Sequence, residues 1–117
     1  MTPEGKVKDK VKRLLKERGA YHYMPIQNGM GVVGIPDIIA CVPVVITKDM
    51  VGSTIGAFVA VETKAPGKIK NTTANQKKNL RDIFAAHGVA IVADKPETVE
   101  SFLQFLLEKG TPSYYVP

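Results

Sequence analysis

Cysteine is nearly absent from this chain. Cys41 stands alone among 117 residues, which excludes an intramolecular disulfide and a cysteine-rich zinc site and points to a reducing compartment. A lone thiol inside an apolar run reads as a small buried hydrophobe on a strand. Long hydrophobic runs are lacking too: the longest, IIACVPVVI, is too short to cross a bilayer and contains a proline. No continuous apolar segment follows the basic first residues, as a secretory signal would require. Internal repeats and low-complexity tracts are missing, and so is any known base-reading motif. The expectation is a soluble, intracellular (cytoplasmic) protein, neither secreted nor inserted in a membrane.

What is present is ordinary globular material. Hydrophobic residues make up 44% and charged residues 23% of the chain, enough apolar surface for a core and too little charge for disorder. At 117 residues one domain spanning 1–117 is expected. Sixteen Lys and Arg against eleven Asp and Glu leave a net charge of +5 and a pI near 9.4, a balance that suits a polyanion but does not by itself specify one.

Punctuation residues divide the chain. TPEGKVKDKVKRLLKERG reads as a helix, with Thr2 as N-cap, Pro3 at the first position, Gly19 as the stop and Val7, Val11, Leu14 and Leu15 as its apolar stripe. AYHYM reads as a strand, PIQNGMGVVG as a glycine-rich loop and IPDIIACV as a second strand. TKDMVGST carries turn chemistry before a third strand, GAFVAVETK. The polar loop APGKIKN leads into a helix, TTANQKKNLRDIFAAHG, capped by Thr72 or Thr73 and stopped at Gly88, with Gln76, Leu80, Ile83, Phe84 and His87 on one face. VAIVAD is apolar throughout, as a strand covered on both faces would be. PETVESFLQFLLEKG closes the order αβββαβα, ahead of a short tail, TPSYYVP.

The third strand poses a problem. Alternation puts Phe58, Ala60, Glu62 and Lys64 on one face of FVAVETK, and burying a charge costs several kcal/mol unless it is paired or binds a metal. A hairpin centred on Asp49 and Met50 would set Asp37 opposite Glu62, with Pro43 marking a bulge or edge. Two facing carboxylates roughly 5 Å apart repel each other, and a hard divalent cation removes that conflict. Lys64 would then stand beside the metal, where it can hold or deprotonate a water or steady charge on a phosphate. The bland alternative is a pair of solvated charges at a strand end, with Asp37 merely opening a strand after Pro36. Gln76, a polar residue on an inward stripe, fits that alternative poorly.

GIPDIIA, then VAVETKAPG, then ANQ resembles the PD-(D/E)XK nuclease superfamily, and in particular its small VRR-NUC (virus-type replication-repair nuclease) branch. The likeness covers residues 1 to about 107 in order of elements. It implies a restriction-endonuclease-like αβββαβα core with a mixed central sheet flanked by helices. It also implies that Asp37 and Glu62 hold Mg²⁺ or Mn²⁺ together with the backbone carbonyl of Thr63, that Lys64 is the catalytic lysine, and that Gln76 positions the water or a phosphate. The family's acidic residue of the first helix falls on Glu4, which would reach the metal through water, although a helix dipole alone favours a glutamate there. NTTA stands where the family commonly has Ser-Pro, a departure that bears only on where the helix starts.

Lys68, Lys70, Lys77 and Lys78 follow the site closely and can contact phosphates or simply be solvated. Asn28, Gly29 and Gly31 would admit a DNA backbone, or serve an ordinary turn. His22 and His87 read as structural, and Tyr114 and Tyr115 as stacking or subunit-contact residues. The expectation is a metal-dependent DNA endonuclease of replication, repair or recombination, selective for structure (duplex, flap or four-way junction) rather than for sequence. A homodimer is expected, with contacts from the last helix and the YYV tail. The alternative is a catalytically inactive, basic nucleic-acid-binding module on the same fold.

Overall fold

The structure is a computed structural model that describes residues 2–26 and 34–109. It is mixed α/β, with three α-helices and two sheets of two strands each. Elements follow the expected order: α1 Pro3–Glu17, β1 Tyr21–Tyr23, β2 Ile39–Cys41, β3 Val59–Thr63, α2 Ala74–Ala85, β4 Val89–Ala93 and α3 Pro96–Lys109. Contacts divide the chain into two compact units, 1–45 and 46–117. No helix among the described residues is long and apolar enough to cross a membrane.

In the first unit, α1 starts where its caps dictate. Thr2 accepts the Gly5 N–H at 3.0 Å, satisfying one of the orphan donors of the first turn. At the other end Gly19 takes φ +72°, and the N–H groups of Gly19 and Ala20 donate back to the carbonyls of Lys16 and Leu15, both at 3.1 Å. That is the Schellman arrangement, which needs a left-handed residue where glycine is cheapest. Leu15 is half-buried, while Val7, Val11 and Leu14 of the expected stripe are exposed. Strands β1 and β2 pair antiparallel with His22 opposite Ala40. Cys41 is buried, and burial pushes its thiol above the ordinary value, so the sulfur stays protonated at neutral pH and acts as a small hydrophobe.

The second unit holds the core. β3 and β4 run parallel with Glu62 opposite Val92, and α2 supplies the crossover that parallel neighbours require. Every residue of β4 is buried, Ala90 and Ile91 completely, as the unbroken apolar run predicts for a strand covered on both faces. Leu80 and Ile83 of α2 are buried, and Ala86 just beyond the helix joins them in the core.

Several expectations need correction. The described ladders are β1–β2 and β3–β4, and a β2–β3 hairpin with Asp37 opposite Glu62 is not among them. Local chemistry accounts for this: β2 begins only at Ile39, past the bend at Asp37, and ends at Cys41, two residues before Pro43, which has no N–H for a ladder. Lys48–Met50 forms a 3₁₀ turn, where the sequence carries turn chemistry. The stripe of α2 is also narrower than expected, with Gln76 half-buried and Phe84 and His87 exposed. His87 lies past the helix end with φ +70°. There it fills the place that Gly19 fills after α1, with His87 N–H to the Phe84 carbonyl and Gly88 N–H to that of Ile83, both at 2.9 Å.

Candidate functional site

The carboxyl end of β3 carries two charged residues of the second unit, Glu62 and Lys64. Val89 N–H donates to the Phe58 carbonyl at 2.8 Å and Lys64 N–H to that of Ala93 at 2.9 Å. These two bonds fix the phase of the parallel ladder: the even-numbered residues of β3 bond to β4. The carbonyl of Thr63 therefore turns toward the opposite edge of its strand. Alternation keeps the side chains of Glu62 and Lys64 on one face, and both are partly withdrawn from solvent, at 30% and 15% side-chain exposure.

A lysine this covered needs acceptors, because an unpaired buried ammonium costs several kcal/mol. Two are present. Lys64 Nζ donates to Gln76 Oε1 at 2.9 Å and lies 3.6 Å from Glu62 Oε2. The same amide oxygen accepts the Thr73 N–H at 2.9 Å, while Thr73 Oγ1 accepts the Gln76 N–H at 3.1 Å. Thr73 and Gln76 thus form a capping box for α2. Both neighbours of the amide oxygen are donors, which settles the orientation of the carboxamide. Gln76 consequently performs two tasks with one atom: it closes the first turn of its helix and it holds Lys64.

The segment between Lys64 and Gln76 is held by a series of turns. Lys68 N–H donates to the Ala65 carbonyl at 2.9 Å, with Pro66 and Gly67 (φ +77°) in the middle, a type II turn that requires a positive φ at its third residue. Gly67 N–H donates to Asp94 Oδ2 at 2.8 Å. A 3₁₀ turn, Ile69–Asn71, follows, and buried Thr72 closes it by donating its hydroxyl to the Ile69 carbonyl at 2.6 Å.

The remaining candidates are placed as follows. Asp37 belongs to the first unit, where its half-exposed carboxylate lies 3.9 Å from Lys8 Nζ of α1, a pair too long and too solvated to add much stability. Glu4 is exposed in the first turn of α1. Lys68 and Lys70 are exposed, and Lys77 is half-buried on α2. Lys78 pairs with Asp82 one turn along at 2.8 Å, an ordinary solvated helical pair. His22 is half-buried in β1. Asn28, Gly29, Gly31, Tyr114 and Tyr115 lie outside the described residues. Within the second unit Glu62, Lys64 and Gln76 come together; within the first, Asp37 lies beside Lys8.

The reciprocal Thr73–Gln76 box and the part played by Asp94 escaped the reading of the sequence. The T-x-x-Q spacing of Thr73 and Gln76 is a legible capping-box signature. Asp94 gave no signal, since its partner Gly67 is 27 positions away.

Among the described residues, no group of three or more His, Cys, Asp or Glu side chains comes together that could hold a metal ion. The donors available at the end of β3, the Glu62 carboxylate and the Thr63 carbonyl, are both oxygens, the ligand type of a hard divalent cation. Comparison of the chain with models of protein families, with curated proteins and with solved structures gives no match in any of the three.

Proposed function

We propose that the chain is a divalent-metal-dependent endodeoxyribonuclease with a restriction-endonuclease-like core. The observation that carries this reading is the convergence of Glu62, Lys64 and Gln76 at the carboxyl end of a strand in a parallel pair, the end where α/β sheets characteristically place their ligands. The sequence resemblance and the element order αβββαβα support it.

In this reading Glu62 and the Thr63 carbonyl hold Mg²⁺ or Mn²⁺, and Asp37 is assigned as the second carboxylate from the sequence motif. The cation, when bound, supplies Lewis acidity at the phosphoryl group and a nucleophile from water at neutral pH. Lys64, held by Gln76, is a fixed positive charge for the phosphate oxygens on which negative charge develops. The amide nitrogen of Gln76 keeps two donors for a water or a phosphate oxygen. Lys68, Lys70 and Lys77 bind flanking phosphates. Without a base-reading motif, the substrate is chosen by shape: duplex, flap or four-way junction. Glu4 is a candidate for contact with the metal through water.

A second reading, a binding module without catalysis, is favoured by the pairing of Asp37 with Lys8. Labelled duplex, flap and four-way-junction DNA, each incubated with Mg²⁺, Mn²⁺ or chelator, separates the two. The nuclease reading expects cleavage with either metal, none in chelator, and none from Lys64→Ala or Glu62→Gln. Retention of DNA without cutting in either metal selects the binding module, and cleavage undiminished in excess chelator defeats the metal mechanism.

A further inference from the structure

Between Lys64 and Gln76 the chain closes its own turns through Lys68 N–H to the Ala65 carbonyl, Asn71 N–H to that of Lys68 and Thr72 N–H to that of Ile69, whereas the Gly67 N–H finds its partner in another part of the chain. The N–H of the third residue in a type II turn has no partner inside the turn. At Gly67 it goes to the carboxylate of Asp94, at the carboxyl end of β4, at 2.8 Å. Lys64 N–H is already bonded to the Ala93 carbonyl at 2.9 Å, so β4 grips this segment at two successive points. The exposed side chains of Lys68 and Lys70 follow directly.

We propose that Asp94 is a positioning residue for a nucleic-acid phosphate contact made by Lys68 and Lys70, acting through its bond to the Gly67 amide. The inference rests on the nucleic-acid reading above and deepens it. A carboxylate beside a polyanion's binding surface repels the polyanion, so on charge alone any neutral residue at position 94 should tighten binding. The bond acts in the opposite sense: it presets the course of the chain that carries the two lysines, so less conformational freedom is lost on binding. Asparagine keeps an acceptor oxygen and drops the charge, whereas alanine drops both. The difference between those two variants isolates the bond.

The test is fluorescence anisotropy with labelled duplex DNA over a range of salt concentrations. Asp94→Asn should bind as tightly as the natural chain or more tightly. Asp94→Ala should bind about fivefold more weakly than Asp94→Asn and show a shallower dependence of log K on log salt, as expected when phosphate contacts are lost. In a Lys68→Ala/Lys70→Ala background the gap between the two should close. Equal affinities for Asp94→Asn and Asp94→Ala, or a gap that persists without the two lysines, overturns the inference while leaving the nucleic-acid reading intact. Failure of the natural chain to bind any DNA overturns both. Gly67→Ala strains the same turn from the other side of the bond, because φ +77° disfavours a side chain there even though the added carbon would meet nothing within 4 Å. It should weaken binding in the same direction, and unchanged affinity counts against the proposal. Amide exchange at Gly67, faster in Asp94→Ala than in Asp94→Asn while Ile91 in buried β4 stays protected, shows that the turn alone has loosened. Loss of protection at Ile91 in Asp94→Ala would make Asp94 a residue of the general fold and overturn the assignment.

Discussion

At the scale of single residues, Gln76 carries the most consequence. Position N3 of a capping box accepts Glu as readily as Gln, and a negative charge in the first turn of a helix is worth about 0.3–1 kcal/mol. Stability alone would therefore favour Glu. The amide, however, sits 2.9 Å from Lys64 Nζ, which already has Glu62 at 3.6 Å. A carboxylate there would place two negative charges on one ammonium and repel an incoming phosphate. Gln76→Glu should leave the melting temperature unchanged or raise it by about 2–5 °C, while cleavage drops by roughly a hundredfold or more. Calorimetry and a gel assay on the same preparation check this, and a variant that melts lower yet cuts normally would show that the choice of amide has nothing to do with Lys64. Gln76→Ala should lose both the cap and part of the activity, because it removes the shared acceptor.

At the scale of elements, helix ends provide a matched pair. α1 and α2 finish with the same hydrogen-bond arrangement, one around Gly19 and the other around His87. A left-handed conformation costs an L-residue about 1–2 kcal/mol, and glycine gives back roughly 0.5–1 kcal/mol through its larger unfolded-state entropy. His87→Gly should therefore stabilise the protein by about 0.5–1 kcal/mol and Gly19→Ala should destabilise it by a similar amount. The Gly19 case is purely conformational, since an added Cβ would touch nothing within 4 Å. Urea denaturation of both variants reads this directly, and a destabilised His87→Gly would mean that the exposed imidazole makes a contribution unrelated to the turn. Helix starts were legible at Thr2 and Thr73, and the stop at Gly19, because caps are written within four or five residues of each other. The burial of β4 was legible from five consecutive apolar residues, and the shared face of Glu62 and Lys64 from alternation alone. Strand pairing was not: a two-residue symmetry about Asp49 and Met50 suggested Asp37 opposite Glu62, but register depends on distant partners, and the parallel ladder of β3 with β4 joins segments separated by the whole of α2. Gln76 was expected to face inward and is half-buried, but its bond to Lys64 joins residues twelve positions apart and no local pattern encodes it.

At the scale of the whole molecule, the nuclease reading proposed above gives each chain one Glu62 and one Lys64, hence one cut per encounter. A duplex or a four-way junction offers two opposed strands, and a two-fold dimer is the simplest assembly that meets both. We expect a homodimer on these grounds: light scattering at micromolar concentration should give twice the 12.7 kDa of one chain, and a single-chain mass that does not double on adding junction DNA would leave one site working alone. The late place of β4 in the chain has a further consequence, for biosynthesis. This strand, buried along its whole length, lies near the C-terminal end of the second unit, so the ribosome releases β3 and α2 before the surface on which both pack exists. At roughly 5–20 residues per second, Val59 and Leu80 wait on the order of seconds for residues 89–93 to follow. During that interval the nascent chain exposes the apolar side chains of β3 and α2, Leu80 and Ile83 among them, to whatever holds unfinished proteins in the cell.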